Sequence, residues 1–169
     1  MTTPFPFPVI GLAGWSGAGK TTFLIKLIAE LKRRGYRLAT IKHSSHANVR
    51  ADVPGSDSWR HAQAGSDIVV LATPRRLALF EQLQEGLSLD EVLARVHNVD
   101  IVLVEGFKSA RIPKIEISRR ERGEELLTRG EDLVAVVTDS SWDVPAPQFG
   151  LDDASGVADL LERRFLRRG

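Results

Sequence analysis

The chain has 169 residues, 43% of them hydrophobic and 27% charged, a composition usual for soluble globular proteins. Lys+Arg at 23 and Asp+Glu at 22 leave a net charge of +1, which excludes whole-molecule attraction to nucleic acid. There is no cysteine, which excludes disulfides, thiolate metal sites and cysteine nucleophiles and is compatible with a reducing, cytoplasmic location. At roughly 150 residues per domain, the length predicts one domain. No apolar run approaches the roughly 20 residues of a spanning helix, so no membrane segment is expected.

Prolines 4, 6 and 8 read as an extended lead-in with no basic or apolar leader. Residues 9–13 form an apolar run suited to a buried strand. A glycine-rich loop over 14–20 precedes a helical pattern over 21–34, with Phe23, Leu24, Leu27, Ile28 and Leu31 on one face. Residues 38–42 are the next strand, and the polar stretch to Ser56 is a loop. A short helix is expected over 58–64, with Asp57 as its N-cap. Strands follow over 68–72 and 77–80, then a helix opened by a capping box at Ser88 and Glu91. Residues 100–105 and 133–138 are apolar strands, and 114–118 alternates like a half-buried one. The last helix spans about 155–167. Near-continuous Val/Ile/Leu strands between helices predict a three-layer α/β fold with a mostly parallel sheet. The charge-dense stretch 108–131 reads as a solvated loop or hairpin.

Gly14, Trp15, Ser16, Gly17, Ala18, Gly19, Lys20 and Thr21 match G-x-x-x-x-G-K-[ST] in full. Such a loop lets several backbone N–H groups converge on a phosphate chain, at the positive end of the following helix. Lys20 adds a point charge for the terminal phosphates, and the Thr21 hydroxyl is a ligand for Mg²⁺. A strand before the loop and a helix after it meet the motif's context. The second metal-side group is Glu105, which ends the apolar run 101–104. Asp57 is a further candidate for the metal shell. His43 and His46 are spaced for a turn that would suit a transition metal, the other reading being structural or substrate-contact roles.

The phosphate loop through Thr22, the Thr40-Ile41-Lys42-His43 element with nearby His46, the Pro54–Arg60 stretch, Glu105-Gly106-Phe107-Lys108 and Pro113–Ile117 together resemble the MobB family. These are the molybdopterin-guanine dinucleotide biosynthesis adaptor proteins, and the resemblance runs from about residue 8 to 166. It implies a P-loop NTPase fold, GTP and Mg²⁺ as ligands, and GTPase activity that is feeble at best. It implies work beside a MobA-like molybdenum cofactor guanylyltransferase that joins GMP to molybdopterin. It also implies a homodimer in which an extended hairpin reaches the neighbour, and residues 108–129 are expected to be that hairpin. Lys42, His43, Phe107 and Lys108 are then candidates for contact with nucleotide or pterin phosphates.

The Asn-Lys-x-Asp signature that many GTPases use to read guanine is absent. Asp139, at the end of the strand 133–138, is either an acceptor for guanine or a strand-end cap. No arginine finger can be named from the sequence. Two other readings use the same loop. One is a small-molecule kinase with a lid at 119–122; the other is a nickel metallochaperone GTPase using His43 and His46.

Overall fold

The structure is a computed structural model that describes residues 5–44, 52–123 and 125–166. It divides into two compact units, one of Met1–His43 with Leu89–Gly169 and one of Ser44–Ser88.

The larger unit is built on six parallel strands. In chain order they are β1 (Val9–Ala13), β2 (Leu38–Lys42), β5 (Ile101–Glu105), β6 (Lys114–Ser118), β7 (Leu133–Thr138) and β8 (Gln148–Phe149). Their order across the sheet is β2-β5-β1-β6-β7-β8, with every pairing parallel. Successive side chains go to opposite faces, and both faces are dry. Ile10, Ile101, Leu103, Ile115 and Ile117 join one core cluster. Val9, Val102 and Val104 join the other. This is why the strands read as unbroken apolar runs.

Helices α1 (Lys20–Arg33) and α4 (Ala154–Arg164) cover the first face. Phe23, Leu24, Leu27 and Leu31 of α1 are buried there, together with Val157, Leu160 and Leu161 of α4. Arg34, just past α1, fastens the two helices. Its guanidinium bonds Glu30, Asp159, Glu162 and Ser155. The short helix α3 (Leu89–Leu93) lies on the second face with Phe7, Ile41 and Ile112. The expected three layers are therefore present. The helix expected from Ser88 is short and ends at Leu93.

The smaller unit contains α2 (Asp57–Gln63) and an antiparallel pair, β3 (Ile68–Ala72) with β4 (Leu77–Glu81). The N-cap of α2 is Ser56, not Asp57: Trp59 N–H donates to Ser56 Oγ at 3.2 Å. Strand β3, read from its apolar run as one of the core strands, belongs instead to this separate two-stranded sheet. One of its faces carries Ile68, Val70, Leu77 and Leu79, each more than half exposed.

The hairpin expected at 108–129 is corrected by the sheet. Lys114–Ser118 is β6, a buried strand flanked by β1 and β7. Its neighbours are parallel, and a hairpin requires antiparallel ones. The charges that prompted the expectation lie on either side of β6, in loops. β6 is also not half-buried as its alternation suggested, because its polar residues Glu116 and Ser118 are only 1% and 7% exposed.

Candidate functional site

In a parallel sheet all carboxyl ends open on one edge, and ligands bind in the crevice there. The phosphate loop leaves β1 at that edge. Gly14 has φ +135°, and a Cβ on it would lie 2.2 Å from the carbonyl oxygen of Ile117. Only glycine allows the loop to pass so close to β6. Gly19 is the N-cap of α1 and offers no side-chain cap, and the helix's first turn holds no acidic residue. Its leading N–H groups are thus left for an anion.

Around this loop stands a cluster of charges. The register pairs Lys42 with Glu105 across β2 and β5, and the Lys42 ammonium binds Glu105 Oε1. From the first turn of α1, the Thr21 hydroxyl lies 3.1 and 3.0 Å from the two Glu105 oxygens. The Glu105 side chain is only 5% exposed, so its charge is held by these partners rather than by water. Thr21 and Glu105 together supply the hard oxygens that Mg²⁺ prefers.

Lys20 Nζ donates to the carbonyls of Gly14 at 2.8 Å and Trp15 at 2.9 Å. Its pKa is lowered, first by burial and then by Lys42 and Lys108, against the opposing pull of Glu105 and Glu116. Burial is the main cost to the ammonium, and a polyanion beside it would favour the charged form.

The ends of β2 and β5 are packed together. His43 N–H donates to Glu105 O at 2.8 Å. The His43 and Phe107 rings meet at 4.3 Å between centroids. Gly106 has φ +105°, and a Cβ there would lie 2.7 Å from His43 Cβ. Phe107 itself has φ 47°, which is uncommon for a residue with a side chain. Two adjacent left-handed residues turn the chain sharply and bring Lys108 toward Lys20.

Trp15, Ser16, Gly17, Ala18 and Thr22 take their places in the loop and the first turn of α1. Trp15 Nε1 donates to Glu125 O at 3.0 Å. Its ring lies where a Cβ on Gly123 would fall, at 2.4 Å. Asp139 follows β7, and its Oδ1 accepts from Arg120 N–H at 2.9 Å. That bond fits the strand-end cap. Asp57 lies in the smaller unit, where its carboxylate is 92% exposed and 4.0 Å from Arg60. His46 lies outside the described residues. Among the described residues, no group of three or more His, Asp or Glu side chains forms a metal cluster.

Glu116 was missed as a candidate. Its two oxygens accept from the N–H groups of Leu127 and Thr128, each at 2.7 Å. The available signal was a carboxylate between two isoleucines in a strand, which must find donors if it is buried.

A model of MobB, molybdopterin guanine dinucleotide synthesis protein B, matches residues 9–139. A molybdopterin-guanine dinucleotide biosynthesis adapter protein of Haemophilus influenzae is 40% identical over 157 residues, 92% of this chain and 88% of its own length. Its counterpart in Escherichia coli is 36% identical, with 91% of each chain covered. Among solved structures, Bacillus subtilis MobB superposes with a TM-score of 0.75 at 27% identity, covering 96% of this chain and all of its own. Another crystal structure of MobB gives 0.72 at 28% identity, covering 92% and 98%. The phosphate loop, the crevice and these relatives agree: the chain belongs to the MobB family.

Proposed function

We propose that this protein is a GTP-binding adaptor in molybdenum cofactor biosynthesis, which assists the attachment of GMP to molybdopterin. The observation that carries the proposal is the charge cluster at the phosphate loop. Uncapped N–H groups at the start of α1 and the partly buried Lys20 ammonium converge beside a Thr21–Glu105 pair. Backbone N–H groups of residues 14–21 cradle the phosphate chain. Lys20 exchanges its carbonyl partners for phosphate oxygens. Thr21 and Glu105 hold Mg²⁺, with Lys42 yielding part of its hold on the carboxylate. A metal held there would supply charge neutralisation to the phosphates. Lys42, His43, Phe107 and Lys108 line the same edge, within reach of a second phosphorylated ligand such as molybdopterin.

The naming of the relatives supports a partner that transfers the guanylyl group, a MobA-like guanylyltransferase. Guanine preference rests on that family membership. No helix among the described residues is long and apolar enough to cross a membrane, in keeping with a small protein of cofactor biosynthesis. The exposed apolar face of β3 and β4 is the surface we assign to homodimer formation. Bare patches of this kind mark interaction sites on otherwise polar proteins.

Calorimetry with GTP and ATP, on the wild type and Lys20→Ala, tests the proposal. GTP should bind with Mg²⁺ and more tightly than ATP, and the variant should lose binding while keeping its fold. Equal affinity for both nucleotides overturns the guanine assignment. Unchanged GTP affinity in Lys20→Ala overturns the site.

A further inference from the structure

After β6 the chain passes back over the phosphate loop as a strap of residues 119–123. It holds the 3₁₀ turn Arg120–Arg122 and is tied down by the Trp15–Glu125 hydrogen bond. Two arginines from this strap reach the loop's glycines. A Cβ on Gly19 would lie 3.5 Å from Arg119 Nε and 3.6 Å from its Nη2. A Cβ on Gly17 would lie 3.5 Å from both Nε and Cζ of Arg122. Both guanidiniums therefore lie directly against the backbone that cradles phosphate.

Arg119 carries a second signal. Its Nε is buried and has no hydrogen-bond partner. A buried donor on a permanent cation left unmatched is expensive, and such groups call for an explanation. An acid that feels the Arg119 charge, Asp152, is engaged elsewhere. Asp152 is held low chiefly by its hydrogen bond to Lys26, and Arg119 adds only a weaker pull. An anion at the loop would satisfy the donor and the charge together. Arginine suits that task because its planar fork matches phosphate oxygens.

We propose that Arg119 and Arg122 are ligands of the nucleotide's phosphate chain, supplied in cis by the strap after β6. Arg119 serves the part of the chain beside Gly19, and Arg122 the part beside Gly17. The glycines admit the guanidiniums as much as they admit the phosphates. Trp15 holds the strap in register, with Gly123 as the gap its ring needs. The proposal rests on the nucleotide reading above, and its test keeps the two apart.

Affinities for GTP, GMP and inorganic tripolyphosphate should be measured by calorimetry for the wild type, Arg119→Gln, Arg122→Gln and the double variant. Glutamine keeps a polar stem and removes the charge. Each single variant should weaken GTP and tripolyphosphate by about 10- to 100-fold, the range for a hydrogen bond to a charged group. GMP should change far less, because it lacks the outer phosphates. A double variant within about twofold of wild type for tripolyphosphate overturns the proposal. So does an equal loss for GTP and GMP, which marks a role in shaping the loop. A wild type that binds tripolyphosphate but not GTP refutes the guanosine reading and leaves the arginines decided by the tripolyphosphate arm. Should the double variant fail to fold, Arg122→Gln alone decides, since its side chain is exposed.

Discussion

Glu116 offers the sharpest test of how the strap region is held. The carboxylate is buried, and it accepts two backbone N–H groups, from Leu127 and Thr128, both at 2.7 Å. Glu116→Gln is nearly isosteric but exchanges one acceptor for an NH₂ group. Whichever way the amide turns, one backbone N–H faces a donor instead of an acceptor. The change removes one charge-assisted bond and orphans one buried N–H. Together these cost about 2–4 kcal/mol. For a chain of this length each kcal/mol lowers the melting temperature by roughly 2–4 °C, so a fall of about 4–16 °C is expected. Urea titration followed by circular dichroism should show a lower midpoint with an unchanged slope. Glu131→Gln, at an exposed position, is the control and should stay within about 0.5 kcal/mol. A Glu116→Gln variant as stable as that control would refute the claim that this carboxylate pins 127–128. Because the pinned segment follows Glu125, the anchor of Trp15, the variant should also bind nucleotide more weakly.

Three further outcomes follow from the charges and the bare sheet face. The Lys20 pKa is lowered mainly by burial, so the free protein binds fewer protons than its unfolded chain between that lowered value and 10.5. Stability should therefore rise with pH across that window. In ¹³C-labelled protein the Lys20 titration should move upward when GTP is added; a downward move would refute phosphate contact. The Glu30 carboxyl is held down to about 2 by hydrogen bonds from Arg33 and Arg34. Its contribution is present above the unfolded value near 4.5 and fades as pH falls toward 2. In Glu30→Gln the acid-side loss of stability over that window should be smaller than in wild type, as read from pH-dependent melting; an identical loss would remove Glu30 from the account. Val70 and Leu79 face each other across β3 and β4 on the exposed side. Val70→Asp with Leu79→Asp should convert a dimer to a monomer by light scattering, and an unchanged mass would place the interface elsewhere.

The sequence was most legible where one local signal sufficed. The strands over 9–13, 101–105 and 133–138 were written in apolar runs, and the phosphate loop in its glycines, because each obeys short-range rules. Lys20, Thr21 and Glu105 could be named since the motif and the strand end place them. Two errors share one cause. The run at Ile68–Ala72 looks like any core strand, because a strand buried in the large sheet and one left exposed in a two-stranded sheet have the same composition. The charges around β6 read as a solvated loop or hairpin, and the hairpin alternative fails because charge density does not say which side a residue faces. Glu116 lies inside and bonded, and the strap's arginines lie against a loop about one hundred positions earlier in the chain.

That last juxtaposition is invisible to any local reading, since it depends on β6 inserting beside β1. Once β6 lies there, the residues that leave its carboxyl end must pass the phosphate loop. Their charges then stop being a surface property. A net charge of +1 over the whole chain coexists with a local excess at one edge of the sheet. There Lys20 and Lys108 share the edge with Arg119 and Arg122 at the phosphate loop, while Lys42 is paired with Glu105. Such an excess is unfavourable in the empty protein, and a polyphosphate relieves it. The fold thus places the energetic cost where a bound nucleotide can offset it, so affinity should fall steeply with added salt.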